Sequence, residues 1–146
     1  MPIELDADVK DKIEAIRYAG KLLMDNGFVE EEYIDGMIDI FNEFGPYIVI
    51  SEGIAMPHSR PETGALRSGF CVVRLKKPIE FGNEENDPVK LIVGLSAKDD
   101  ESHLEVIQFI SLLLDSEVNQ SILFEGSLDE IKQLIWSIYE KSINSL

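Results

Sequence analysis

Two apolar segments, residues 69–75 and 90–96, constrain the fold of this chain more than any other feature. Both are rich in Val, Leu and Ile, which predicts short strands that are buried on both faces. Strands of this kind are stable only where helices cover each side of their sheet. The sequence therefore predicts an α/β fold, a single domain over residues 1–146 with helices on both faces of a central sheet.

Helical periodicity precedes these strands. Residues 7–25 carry apolar side chains at helical spacing and lead to Gly27, which predicts an amphipathic helix with a glycine stop. Residues 30–44 predict a second helix, which begins with acidic residues, as the helix dipole favours, and stops before Gly45. Residues 47–50 are short, branched and aromatic. They predict a third strand after the two helices.

Two capping-box patterns mark helix starts in the C-terminal third of the chain. Ser102 is followed three residues later by Glu105, and Ser127 is followed by Glu130. In each pair the serine oxygen and the glutamate satisfy free amides of a first helical turn. The first of these helices is predicted over residues 102–115, with an apolar pattern broad enough for a buried helix.

His58, one of two histidines in the chain, follows the strand predicted at residues 47–50. It lies between Pro57 and Ser59, on a loop that the proline stiffens. A neutral imidazole is a nucleophile or a base near pH 7, and reactive side chains are often displayed on such loops. Taken alone, the segment is compatible with a reactive histidine and with an ordinary surface histidine beside a turn.

The second histidine, His103, is predicted to be the first residue of the helix that follows the strand at residues 90–96. If that strand and the one at residues 47–50 run parallel, both histidines leave the same edge of the sheet, where ligand sites of α/β proteins form. A helix N-terminus at that edge favours anions. The order of elements thus suggests, among other arrangements, an anion site shared by the two histidines.

The charge of the chain limits its partners. Asp and Glu number 28 against 13 Lys and Arg, a net charge of −15, which repels nucleic acids and anionic membrane surfaces. No apolar run approaches the ~18 residues of a membrane span, and the first residues lack the features of a signal peptide. The single cysteine, Cys71, fits a reducing compartment. We therefore expect a cytoplasmic protein that binds no nucleic acid and does not insert into the membrane.

Neither histidine belongs to a metal-binding pattern. The sequence has no paired-ligand spacing such as His-Glu-x-x-His, and the acidic residues of segment 83–88 lack the spacing of an EF-hand loop. Cys71 has apolar neighbours, which predicts a buried strand thiol. We expect no metal ion and no cofactor, although a metal-dependent hydrolase that uses both histidines stays open as an alternative.

The segment around His58 reads GIAMPHSRPE. It resembles the active-site segment of the enzyme IIA proteins of the bacterial sugar phosphotransferase system (PTS), in the mannitol/fructose superfamily (EIIA type 2). The flanking sequences EFGPY at residues 43–47 and NDPV at residues 86–89, with Phe81 between them, resemble the L-ascorbate-specific branch. The resemblance extends from about the first helix to the last. It implies a mixed sheet of about five strands.

This resemblance implies a role for each histidine. His58 corresponds to the phosphorylated nucleophile, and His103 aligns with the second active-site histidine, which would bind the phosphate or orient the first ring. Glu52 matches an acidic residue of the mannitol branch, where it would support the site. That branch also has an active-site arginine on the preceding helix, and the matching position here is Asn42. The missing arginine favours an ascorbate-like protein over a mannitol transporter.

Arg60 is a candidate for charge compensation, because its guanidinium presents a fork of donors to phosphoryl oxygens. An ion pair with Glu62 or Glu52 is the alternative. Phosphoryl transfer depends mainly on alignment and charge compensation, so such donors carry much of the catalysis.

The implied function is phosphoryl relay in the uptake of L-ascorbate or a related pentose or sugar acid. The chain would accept phosphate from the histidine-containing phosphocarrier protein (HPr) on His58. It would then pass the group to a cysteine of an enzyme IIB component, which serves a membrane permease (IIC). A regulatory module, whose phosphorylation state is read by a regulator, is an alternative of a different class.

Overall fold

A computed structural model describes residues 1–144. Within this range the strands are β1 (Ile3–Ala7), β2 (Val49–Ser51), β3 (Ile54–Ala55), β4 (Gly69–Ile79) and β5 (Val89–Ser96). The α-helices of the same range are α1 (Lys12–Asp25), α2 (Glu31–Phe44), α3 (Asp100–Leu113), α4 (Glu117–Glu125) and α5 (Leu128–Asn144). The described strands form one mixed sheet in the order β1-β4-β5-β3-β2, which confirms the predicted α/β fold.

Two hydrophobic cores lie on opposite faces of this sheet. Along β4, Cys71 and Val73 pack into the core that contains α1 and α2, while Phe70 and Val72 pack into the core that contains α3 and α5. This alternation is the period of two expected of a strand. Both faces of β4 are buried because each is covered by helices, as predicted, and each large side chain buried there contributes roughly 1.5–3 kcal/mol.

The pairing directions determine which loops meet. Strand β3 runs parallel to β5, with Ile54 opposite Leu91 and Ala55 opposite Ile92, whereas β2 runs antiparallel to β3. The chain therefore leaves β3 and β5 at the same edge of the sheet. It is β3, and not the strand predicted at residues 47–50, that sends His58 toward this edge.

Several predicted boundaries are corrected. Residues 3–7 form β1 on the outer side of β4, so α1 begins at Lys12 rather than at residue 7. Residues 46–48 form a 3-10 turn, and β2 follows at Val49. Strand β4 continues through Ile79, and α4 was not predicted. Helix α3 is only half-buried, with Ile110 and Leu113 as its buried residues.

Within residues 1–144, no helix has both the length and the apolar composition needed to cross a membrane.

Candidate active site

The loop that carries His58 is anchored through backbone atoms. Beyond the end of β3, the N–H of Leu95 in β5 donates to the carbonyl oxygen of Pro57 (3.1 Å), which extends the parallel pairing up to the histidine. The N–H of Met56 donates to the carbonyl oxygen of Ile48 (2.7 Å) on the other side. Pro57 and Ser59 are buried and His58 is half-buried, so the imidazole stands on a fixed backbone.

The protonation of the His58 ring follows from one contact. Its Nδ1 lies 3.1 Å from the carbonyl oxygen of Met56, and a carbonyl oxygen only accepts hydrogen bonds. In the neutral ring Nδ1 is therefore the protonated nitrogen, which leaves the unshared electron pair on Nε2. This is the tautomer that presents Nε2 as a nucleophile.

Helix α2 holds the other side of the same loop. The Tyr33 hydroxyl accepts a hydrogen bond from the Ser59 N–H (3.0 Å), and Ser59 Oγ lies 2.8 Å from Thr63 Oγ1. The helix approaches so closely that a Cβ added at Gly36 would clash with Ser59 Oγ. Only glycine at position 36 leaves space for Ser59 where it stands.

His103 reaches the same edge from β5 through the first turn of α3. The capping-box prediction is wrong in its position, because Asp99 is the N-cap and its side chain accepts from the Ser102 N–H (2.8 Å). His103 is thus the fourth helical residue rather than the first. The hydrogen bonds that the Asp99 carboxylate accepts lower its pKa. The sequence analysis did not consider Asp99 as an N-cap, although aspartate is common at that position. The capping box at Ser127 and Glu130 is confirmed by reciprocal hydrogen bonds of 3.2 and 3.0 Å.

The two histidines meet in one pocket. Their ring centroids are 6.2 Å apart, with ring planes inclined by 57°. The pocket has a volume of about 480 Å³, and its lining is largely apolar. It is lined by Ile40, Phe44, Gly45, Tyr47, Ile48, Ile50, Met56, His58, Ser59, Arg60, Pro61, Asp100 and His103.

Of the remaining residues considered in the sequence, one lines the pocket and two do not. Arg60 lines the pocket with an exposed side chain, and no ion pair joins it to Glu52 or Glu62, both of which the structure describes. Glu52 is exposed on the turn between β2 and β3, at the opposite end of β3 from His58, and it does not line the pocket. Asn42 is exposed on α2 and also does not line it.

Sequence reasoning missed three contributors to this site. Neither Tyr33 nor Gly36 was predicted to be a site residue. Asp100 lines the same pocket as both histidines. The apolar periodicity of α2 indicated that Tyr33 is buried, but no sequence signal indicated the partner of its hydroxyl.

Within residues 1–144, no group of three or more His, Cys, Asp or Glu side chains is arranged to hold a metal ion.

The chain as a whole matches a known family. Residues 2–137 match the family model described as "Phosphoenolpyruvate-dependent sugar phosphotransferase system, EIIA 2". The chain is 41% identical over 117 residues to the ascorbate-specific PTS system EIIA component of Escherichia coli K12, which covers 79% of this chain and 76% of that protein.

Two solved structures from Escherichia coli are also similar. The mannitol-specific cryptic phosphotransferase enzyme IIA has a TM-score of 0.81 and 37% identity, with 91% of this chain and 90% of that one covered. The mannitol enzyme IIA in complex with phosphorylated enzyme IIB has a TM-score of 0.80 and 33% identity, with 92% and 94% covered. The structural similarity therefore extends over most of the chain.

Proposed function

Because this chain belongs to the EIIA 2 family of the sugar phosphotransferase system, and is thus a phosphoryl-relay component, we propose that His58 is the residue that carries the phosphoryl group. The observation that carries the proposal is the contact between His58 Nδ1 and the Met56 carbonyl oxygen. It leaves Nε2 with its electron pair in a pocket that contains a second histidine.

In the proposed step, Nε2 of His58 attacks the phosphorus of a phosphohistidine on the donor protein. A new N–P bond forms as the donor N–P bond breaks, and the departing electron pair returns to the donor imidazole. No proton has to leave His58, because Nδ1–H keeps its bond to Met56. The carbonyl oxygen of Met56 offsets the positive charge that develops on the ring as Nε2 bonds to phosphorus.

Charge compensation for the phosphoryl oxygens comes from three sources in this proposal. His103 lines the same pocket as His58, with ring centroids 6.2 Å apart. Arg60 lines the same pocket without a carboxylate partner at Glu52 or Glu62. The N-terminal end of α3 contributes Asp100 and His103 to the pocket lining, and the helix dipole favours an anion at that end. Donors placed in advance around the moving group are what a loose phosphoryl-transfer transition state requires.

The rim of the pocket supports docking by protein partners. Large apolar side chains are exposed there, with Tyr47 83% exposed, Phe44 50% and Ile50 43%. Exposed aromatic and aliphatic side chains around a site are typical of protein interfaces. We assign this rim to HPr as phosphoryl donor and to enzyme IIB as acceptor. A cysteine of IIB receives the group, and IIB in turn serves the IIC permease.

The solved complex of the mannitol enzyme IIA with phosphorylated enzyme IIB supports the second partner, and the ascorbate-specific relative supports L-ascorbate or a related sugar acid as the transported substrate. A cytoplasmic location is part of the proposal. Asn42, which replaces the arginine of the mannitol branch, agrees with an ascorbate-like system.

The test is phosphorylation with purified components. The chain is incubated with phosphoenolpyruvate, enzyme I and HPr, and the expected product carries one phosphoryl group on His58 that is labile in acid and stable in base. His58→Ala should remain unlabelled, while His103→Ala should still accept the group. A phosphate on Ser59, or none with active donor proteins, would overturn the proposal. Ascorbate-specific IIB should then discharge the label faster than mannitol-specific IIB.

A further inference from the structure

Both neighbours of His58 are held by one residue of β5. The N–H of Leu95 donates directly to the carbonyl oxygen of Pro57 (3.1 Å). The carbonyl oxygen of Leu95 accepts from the Tyr33 hydroxyl (2.7 Å), and that hydroxyl oxygen accepts from the Ser59 N–H (3.0 Å). The nucleophile therefore lies between two anchors that converge on Leu95, one direct and one through Tyr33.

The Tyr33 hydroxyl is suited to this position because it is buried and neutral. Its side chain is 1% exposed, and burial raises its pKa to about 12, so the hydroxyl keeps its proton at neutral pH. The single proton is used toward Leu95, where the distance is shortest, and the oxygen remains free to accept from Ser59. Without the hydroxyl, the Ser59 N–H and the Leu95 carbonyl would each lose a partner in a buried environment.

The same hydroxyl connects the two halves of the site. Leu95 lies near the end of β5, and the chain continues from there into α3, which carries His103. Ser59 directly follows His58. A displacement of Ser59 relative to Leu95 would change the distance and angle between the two imidazole rings, now 6.2 Å and 57°.

We propose that Tyr33 is a positioning residue for phosphoryl transfer, whose hydroxyl fixes the His58 ring against His103. This inference rests on the proposed function of His58. A misplacement of reacting groups by about 1 Å costs roughly 10²-fold in rate. Since the hydroxyl fixes the position of the His58 ring and does not line the docking surface, we expect its loss to slow the chemical step and to leave the affinity for partners unchanged.

The experiment compares Tyr33→Phe with Tyr18→Phe. The control removes the hydroxyl of a half-buried tyrosine on α1, whose side chain bonds to Glu4 rather than to the site. Transfer from phosphorylated HPr is followed by rapid quench at 10 °C to give kcat and KM, and thermal unfolding is recorded for each variant. The ¹⁵N shifts of the His58 ring report its tautomer.

Tyr33→Phe should lower kcat by about 10- to 100-fold with KM within about twofold of the wild type, and its His58 ring should shift toward a mixture of tautomers. Tyr18→Phe should keep the wild-type kcat and the Nδ1–H tautomer. Equal kcat in both variants, or a Tyr33→Phe protein unfolded even at 10 °C, would make Tyr33 a purely structural residue and overturn the proposal. A wild-type chain that accepts no phosphate would instead refute the function assigned to His58.

Discussion

The rings of His58 and His103 lie 6.2 Å apart because the chain leaves two adjacent parallel strands, β3 and β5, at the same edge of the sheet. Neither histidine depends on a long loop to reach the other. His58 follows β3 by three residues, and His103 lies in the first turns of α3, shortly after β5. The geometry of the pair is therefore set by strand pairing.

We expect His103→Ala to accept phosphate and to transfer it slowly. Loss of a hydrogen-bond donor to the moving group typically costs about 10²- to 10³-fold in rate, whereas loss of the nucleophile removes the covalent intermediate altogether. Single-turnover transfer to IIB, measured beside His58→Ala, separates the two roles. Complete loss of acceptance in both variants would contradict an auxiliary role for His103.

Arg60→Lys should slow both acceptance and donation, by about tenfold or more, because lysine keeps the charge but loses the planar fork of donors. Arg17→Lys, on α1 and outside the pocket lining, is the matched control. Both rates are measured by rapid quench with phosphorylated HPr and with IIB. Wild-type rates in Arg60→Lys and in Arg60→Ala would return Arg60 to the role of an ordinary surface residue.

Tyr47→Ala should weaken docking without affecting chemistry. The side chain is 83% exposed at the rim of the pocket, and truncating an aromatic anchor of an interface typically costs about 1–2 kcal/mol. We expect a KM for phosphorylated HPr raised about 5- to 30-fold at unchanged kcat. Trp136→Ala is the control, since Trp136 is 58% exposed on α5 and does not line this pocket. An equal effect of the two variants would argue against the rim as the docking surface.

Gly36→Ala should destabilise the chain although alanine is the better helix former. The added methyl would clash with Ser59 Oγ. Overpacking of this kind costs about 1–3 kcal/mol, against a gain of about 1 kcal/mol in helix propensity. Chemical unfolding compares it with Asn42→Ala, an exposed position on the same helix that should be neutral or slightly stabilised. A Gly36→Ala chain as stable as the wild type would show that Ser59 moves aside without cost.

The strands β4 and β5 could be predicted because their high content of Val, Leu and Ile indicates burial on both faces. Strand β3 could not, since two residues carry no periodicity and are ordered by pairing with Leu91 and Ile92. The sequence suggested that the two histidines lie at one edge of the sheet, but it placed His58 after the strand at residues 47–50 rather than after β3. Because β2 is antiparallel to β3, a histidine that directly followed β2 would have left the sheet at the other edge.

The start of α3 was misplaced for a local reason. Asp99 and Ser102 are both good N-cap residues, and the serine pattern with Glu105 was given precedence over the aspartate before it. The role of Tyr33 could not be predicted at all, because its hydroxyl partners belong to a loop and to a strand that are distant in sequence. Periodicity identifies the buried face of a helix, but it does not identify what a polar atom on that face will meet.

The backbone anchoring of the His58 loop has a consequence for the lifetime of its complexes. Pro57 and Ser59 are fixed within the folded chain, so a partner that docks finds the imidazole already ordered and loses little conformational entropy on association. A small interface that forms and dissociates quickly is then sufficient for recognition, because no binding free energy is needed to order the loop. A carrier that must meet one protein to load and another to unload benefits from such short residence times more than from tight binding to either.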